Sequence, residues 1–257
     1  MTPVGSGAGW KQARGEVDLQ EFLLKLGSSI VPNLGLGLAG YLTRAFDCSG
    51  LLAGVALGTL ITYAFGWGGF LVVLGFVALG SGTTRIGFSR KSARGISEPG
   101  EGRRTWRNAM ANLAVPAFGA LVALVSPAAV LQMFFTASVA TAAFDTVASE
   151  MGKAFGGRAL TLRNMKLKEA GVPGGITLVG TLSGALAAVA IALVALAFDL
   201  VSPWLVGYVV LSAFLASAAE SLLKSAIGLS STHAANVVNT LLGGLFGALF
   251  WTGASTV

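Results

Sequence analysis

The sequence predicts an all-α polytopic membrane protein, on three observations. The 257 residues are 54% hydrophobic and only 11% charged, less than half the roughly 25% charged residues of soluble domains, and the mean hydropathy is +0.77. Uncharged stretches recur at lengths suited to crossing a bilayer. The 36 glycines suit membrane helices, whose backbones approach closely where side chains are small. Cys48 is the single cysteine, which excludes an internal disulfide and a zinc site built from several thiolates.

Residues 1–17, rich in Gly and Ser without periodicity, read as a disordered tail, and residues 18–257 as one transmembrane helical domain. Lys11, Arg14, Glu16, Asp18 and Glu21 interrupt the start before any apolar core, so no signal peptide is expected. Leu19, Phe22, Leu23 and Leu26 fall at helical spacing against Asp18, Glu21 and Lys25, the pattern of a short amphipathic helix lying in the interface. Ile30 to Tyr41, with Pro32 and several glycines, is a weak span that becomes long enough to cross when joined to that helix. The stretches 48–84 and 108–144 contain no charge and are equal in length, each too long for a single span of about 20 residues. Gly66-Trp67-Gly68-Gly69 supplies a turn in the first and Ser126-Pro127 in the second. Gly174 to Phe198, Pro203 to Ala219 and His233 to Trp251 complete the set. The count is eight spans, or seven if the first segment only lies in the interface.

Positive charge sets the orientation. Arg85, Arg90, Lys91, Arg94, Arg103, Arg104 and Arg107 fill the loop after the third span, and Lys153, Arg158, Arg163, Lys166 and Lys168 the loop after the fifth. The turns near Gly68, Pro127 and Pro203 carry no Lys or Arg. Eight spans put every basic loop on one face, which the positive-inside rule makes cytoplasmic.

That orientation gathers polar residues at the same face. Asp145 and Glu150 stand in Phe-Asp-Thr-Val-Ala-Ser-Glu-Met-Gly, residues 144–152, where an uncharged span meets a basic loop. A carboxylate beside hydrocarbon is costly unless water, a cation or a hydrogen-bond network receives it. On an ideal helix these two point about 140° apart, so they share one ligand only if the helix breaks there. Asn108 and Asn112 begin span four, and Glu220 ends span seven. His233, Asn236 and Thr240, with Asn239 beside them, form a stripe at the start of span eight. Each feature also has a plainer structural reading: the basic loops set topology, Glu220 pairs with Lys224 at i,i+4, and His233 is a helix N-terminal group.

The residue set narrows the chemistry. Gly152-Lys153 lacks the glycine loop and Ser/Thr of a P-loop, and one His and one Cys leave little for nucleophilic or zinc catalysis. Carboxylates beside many arginines suit Mg²⁺ and a polyphosphate: the metal takes few protein ligands, and arginine neutralises phosphate. No nucleic-acid partner is expected. A transporter or scaffold for an anionic lipid is the alternative of another class. It would need polar groups through the membrane depth, whereas here they cluster at one face.

Thr84-Arg85 through Lys91, Arg94-Gly95, Gly102-Arg103-Arg104, Trp106-Arg107-Asn108 and Asn112 resemble a segment of the integral membrane family that includes the phytyl-phosphate kinase of vitamin E (tocopherol) synthesis. Asp145-Thr146, Ala148-Ser149-Glu150 and Gly152 resemble its Asp-Thr-x-x-Ser-Glu-x-Gly motif. Gly174-Gly175 with Thr177, Gly180 and Thr181 resemble its glycine-rich helix entry, and Asn236 and Asn239 its late Asn-x-x-Asn pair. Glu220-Ser221 departs from the family's usual Asp-Ser, and Gly171-Val172-Pro173 from its Pro-x-Gly-Thr. The resemblance implies an all-α membrane kinase that uses Mg²⁺ and a nucleoside triphosphate, CTP favoured, to convert a phytyl or other prenyl monophosphate to its diphosphate. A lipid cytidylyltransferase or an isoprenoid-alcohol kinase is the enzymatic alternative. Asp145, Glu150 and Glu220 are then expected to hold Mg²⁺–nucleotide. Arg85, Lys91, Arg94, Arg103, Arg104 and Arg107 are expected to bind phosphates, with Asn108, Asn112, Gly174, Gly175, His233, Asn236 and Asn239 around them. The implied location is a bacterial cytoplasmic or thylakoid membrane, or a plastid membrane. The acceptor chain is expected in a groove lined by Gly184, Ala187 and Ala216.

Overall fold

The computed structural model describes residues 19–227 and 232–254, so the expected N-terminal tail lies outside the described residues. The helices are α1 (Leu19–Leu42), α2 (Cys48–Arg85), α3 (Phe88–Ala93), α4 (Trp106–Val125), α5 (Ala129–Phe155), α6 (Leu178–Ala197), α7 (Val206–Ile227) and α8 (Thr232–Ala254). Seven helices are long and apolar enough to cross a membrane. Of these, α2 is two segments, because Gly66 breaks it at φ 64°, ψ −152°, a conformation essentially confined to glycine. Both its ends reach one face. Arg85 at its end donates to the carbonyl of Thr43 just before its start, and Arg104 bonds Thr84 Oγ1 at 2.9 Å while its carbonyl accepts from Asp47 N at 3.1 Å. The chain therefore turns back near Gly66, and each half, at 1.5 Å per residue, approaches the roughly 30 Å hydrocarbon layer. Eight crossing segments result.

The amphipathic stretch and the weak span form one continuous helix through Pro32, the joined segment on which the count of eight rests. Asn33 anchors it, its amide donating to Thr62 Oγ1 at 2.8 Å and to the Ser29 carbonyl at 2.8 Å. A buried amide with both donors satisfied joins α1 to α2 where apolar packing alone specifies little.

At the centre stands α5. Of its membrane window 72% is buried, against 39% or less for every other candidate span. Alanine, Ser and Thr along α5 let its neighbours come close. A Cβ at Gly184 of α6 would sit 2.8 Å from the Phe144 carbonyl oxygen, and one at Gly243 of α8 2.0 Å from Thr141 Oγ1. Gly184, with the fully buried Ala187 and Ala216, is thus packed solid, and the acceptor groove expected beside these residues is not there.

Helix starts are capped on the basic face. Asp47 accepts from Gly50 N at 2.7 Å to open α2. Thr105 and Asn108 form a reciprocal capping box for α4, and Thr177 accepts from Gly180 N at 3.0 Å to open α6; each cap satisfies orphan amides of the first turn. The segment between α5 and α6, expected as loop, folds into an antiparallel three-stranded sheet, β1 (Arg158–Thr161), β2 (Lys166–Glu169) and β3 (Gly175–Ile176), in the order β2-β1-β3. Arg94 ties the two basic loops together, donating to the carbonyls of Lys153 at 3.0 Å and Ala170 at 2.7 Å. Arg163 reaches the end of α7 at the Ala226 carbonyl, 3.1 Å away. The basic loops therefore share one face, as the charge pattern predicts.

Candidate active site

On that face a cavity of about 690 Å³ lies above the end of α5, within the size range of small-molecule sites. Along α5 it is lined by Phe144, Asp145, Ala148, Ser149, Gly152 and Lys153. The start of α6 and the last turns of α7 form two sides, and residues 95–99 and 171–177 border it at the loops.

Asp145 and Glu220 both line this space, and their carboxyl groups lie close enough for their charges to interact. Lys224, one turn beyond Glu220, forms an ion pair with its Oε1 and also acts on Asp145. That Oε1 accepts no aligned hydrogen bond despite the pair. One turn before Glu220, Ser217 has a buried hydroxyl without a partner; it too lines the cavity. Buried polar atoms are rarely left unsatisfied, so the Ser217 hydroxyl marks where a bound group would be received. Lys153, Ser149, Thr177 and Gly174-Gly175 add a cation, hydroxyls and backbone at the entry to α6.

The donor set fits one magnesium ion. Mg²⁺ is held by one or two carboxylates and completes its octahedron with water and phosphate oxygens, which Asp145 and Glu220 satisfy without further protein ligands. Among the described residues no group of three or more His, Cys, Asp or Glu side chains converges, so phosphate oxygens would have to supply the rest.

Glu150 stands apart. The helix is unbroken between it and Asp145, and it turns away into the protein, 3% exposed, with Oε2 paired to Lys91 and Oε1 to Lys153 at 3.1 Å. Lys91 is fully buried and also donates to the carbonyls of Thr83 and Thr84, at 3.2 and 2.8 Å. All three ammonium hydrogens are thereby used, and the network pins α3 against the ends of α2 and α5.

Three of the expected arginines likewise hold the protein's own chain. Arg85 and Arg94 bind carbonyls as described, and Arg104 binds Thr84 and Glu98. Arg107 is exposed over the Trp106 ring, and Arg103 is half-buried with an unpartnered Nε. None of these side chains lines the cavity. Asn108 is committed to the α4 cap and to Glu98 at 3.2 Å. Asn112 accepts from Asn236 at 3.4 Å across the α4–α8 contact, where the side-chain oxygens of Asn236 and Asn239 are buried without partners. Asn108 and Asn112 border a separate, mostly apolar hollow of about 60 Å³. His233 is half-buried at the start of α8, next to Thr232, which reaches the cavity. Of the expected site residues the structure brings Asp145, Glu220, Gly174 and Gly175 together. It adds Lys153, Thr177, Ser217 and Lys224; Lys153 had a signal in the basic loop, Thr177 in the glycine-rich helix entry and Lys224 in its i,i+4 spacing from Glu220, while Ser217 had none.

The chain is 31% identical to Protein VTE6, chloroplastic, of Arabidopsis thaliana over 86% of its own length and 71% of that protein. It is 33% identical to an uncharacterized membrane protein of Synechocystis, covering 73% and 75% of the two chains. A membrane protein of Methanocaldococcus jannaschii is 29% identical over 92% and 98%. No solved structure matches the chain. The family model for the integral membrane protein DUF92 matches residues 31–250, and the chain belongs to that integral membrane family.

Proposed function

We propose that this protein is a membrane phosphotransferase that passes the terminal phosphoryl group of Mg²⁺–nucleoside triphosphate, CTP by preference, to a prenyl monophosphate of the phytyl type, yielding the diphosphate. The observation that carries the reading is the meeting of Asp145, Glu220 and Lys224 in one cavity on the basic face, beside the glycine-rich entry to α6. Membership of the family that includes the Arabidopsis VTE6 protein, together with the motif resemblance to the phytyl-phosphate kinase group, supports the acceptor class.

Phosphoryl transfer needs positioning and charge neutralisation more than a protein nucleophile. Asp145 and Glu220 would hold Mg²⁺, which, when bound, neutralises phosphate oxygens and orients them. Lys224 and Lys153 present fixed cations to the same space, so negative charge moving between donor and acceptor stays near positive charge. The capped first turn of α6 directs backbone amides at an anion, with Thr177 holding that turn in place. Residues 95–99 and 171–177 border the cavity at its loop side. The acceptor's own phosphate oxygen attacks the terminal phosphorus, the bond from that phosphorus to the bridging oxygen breaks, and the nucleoside diphosphate leaves.

Incubating purified protein with each labelled nucleoside triphosphate and a panel of prenyl monophosphates tests this. Label should appear in prenyl diphosphate, fastest with CTP. If no nucleotide labels any prenyl phosphate, the reading is lost.

A further inference from the structure

Phe214 of α7 belongs to two environments. Its ring lines the cavity and meets the buried Phe144 edge-on, centroids 6.3 Å apart. Yet Phe214 is 44% exposed, and one turn back Leu211 is 40% exposed. Leu211, Phe214 and Ala218 follow at i, i+3 and i+7 on one stripe of the helix, and of these Phe214 and Ala218 line the cavity while Leu211 does not. The apolar stripe of α7 thus leads from Leu211 to the cavity at Phe214 and Ala218, with the Ser217 hydroxyl beside it. On the other side Thr181 lines the cavity and Leu182, its neighbour on α6, is 58% exposed. The ionic groups lie deeper toward the basic face: Glu220 and Lys224 follow Phe214 by two and three turns of the same helix.

The geometry points to a lateral portal between α6 and α7 at Phe214, through which the hydrocarbon chain of a phosphorylated amphiphile passes into the bilayer while its phosphate stays in the cavity beside Lys224. Phe214 and Ala218 then determine which chains are accepted. The inference rests on the acceptor class proposed above, but not on phosphoryl transfer taking place. Three features select this occupant. The apolar stripe of α7 leads from exposed Leu211 to the cavity lining at Phe214 and Ala218; the polar end of the cavity is ionic, with Lys224 paired to Glu220 and Lys153 to Glu150, so a charged headgroup finds exchangeable partners there; and Phe214 with Ala218 offers an apolar surface on which a hydrocarbon chain escapes water. Gly184, Ala187 and Ala216 are closed by packing, whereas Phe214 and Ala218 line the cavity.

Binding to nucleotide-free protein in nanodiscs separates this from the kinase reading. The probes are phytyl monophosphate and isopentenyl monophosphate, which share the phosphate and differ in chain length. Overfilling the portal with Ala218→Trp or Phe214→Trp should weaken phytyl monophosphate binding about tenfold or more, because added atoms overpack the passage, and leave isopentenyl monophosphate within about twofold. The short probe also reports that each variant is folded. Equal weakening of both probes, or unchanged phytyl monophosphate affinity in both variants, overturns the portal, as does failure of the parent to bind phytyl monophosphate better than the short probe. Absence of phosphoryl transfer with these binding results intact would overturn the kinase reading alone.

Discussion

Two carboxylates on one helix have opposite fates. Asp145 faces the cavity, and Glu150 is enclosed by two ammonium groups. Asp145→Asn removes the charge and keeps the shape. Loss of one strong electrostatic contact at a phosphoryl-transfer site lowers kcat by about 10²-fold or more, so that fall is expected in the nucleotide-dependent assay. Yield and thermal stability should match the parent, because losing a charge beside hydrocarbon relieves a desolvation cost. Activity at the parent rate would remove Asp145 from the site. Lys91→Met should act in the opposite way, leaving Glu150 with only Lys153. Breaking a buried ion pair from one side costs about 3–5 kcal/mol, so thermal unfolding in detergent should come markedly earlier. The double variant Lys91→Met, Glu150→Gln should recover most of that loss. If the single variant unfolds like the parent, the network does not hold α3 in place.

Among the elements, α2 shows how one residue decides topology. Gly66 turns two apolar segments back on each other at a backbone conformation that side chains avoid. Nothing lies within 4 Å of a Cβ placed there, so any cost of Gly66→Ala is conformational, not steric. A residue held in such a region costs about 1–3 kcal/mol, and thermal unfolding of the variant should show that loss. Gly66→Ala with unchanged stability would mean that the turn relaxes freely. The α5–α6 contact behaves differently, since Gly184 has its neighbours at contact distance. A large side chain there disrupts packing whatever the ligand, which is why chain selectivity is probed at Phe214 and Ala218.

For the whole molecule the governing feature is polarity between its two faces. Arg94 and Arg163 bind both basic loops to one another and to α7, so the two loops must be equally accessible. In a Cys48→Ser background, Glu101→Cys and Lys166→Cys should be labelled by an impermeant reagent from the same side, the cytoplasmic one by the positive-inside rule. Ala128→Cys, in the turn between α4 and α5, should be labelled only from the other. Labelling of positions 101 and 128 from one side would end the eight-segment arrangement.

Membrane class, the number of segments and the grouping of the basic loops were legible in the chain itself, because hydrophobicity and charge act on each stretch independently of its neighbours. Even the turn at Gly66 could be read, since a charge-free stretch twice the bilayer's need must reverse at its glycines. The composition of the site was legible only in part. Asp145 and Glu220 stood out as carboxylates in apolar surroundings, and those surroundings are a local property. Which cations faced them was not local. An arginine in a basic loop looks the same whether it meets a phosphate or a carbonyl. Arg85, Arg94 and Arg104 turn to carbonyls and side chains of distant segments, while Lys153 and Lys224 reach the cavity. Side-chain direction advances about 100° per residue along a helix, so the rotation of α5 and α7 in the bundle selects the residues that share a space. Packing of small residues between neighbouring helices sets that rotation, and packing exists only in the folded molecule.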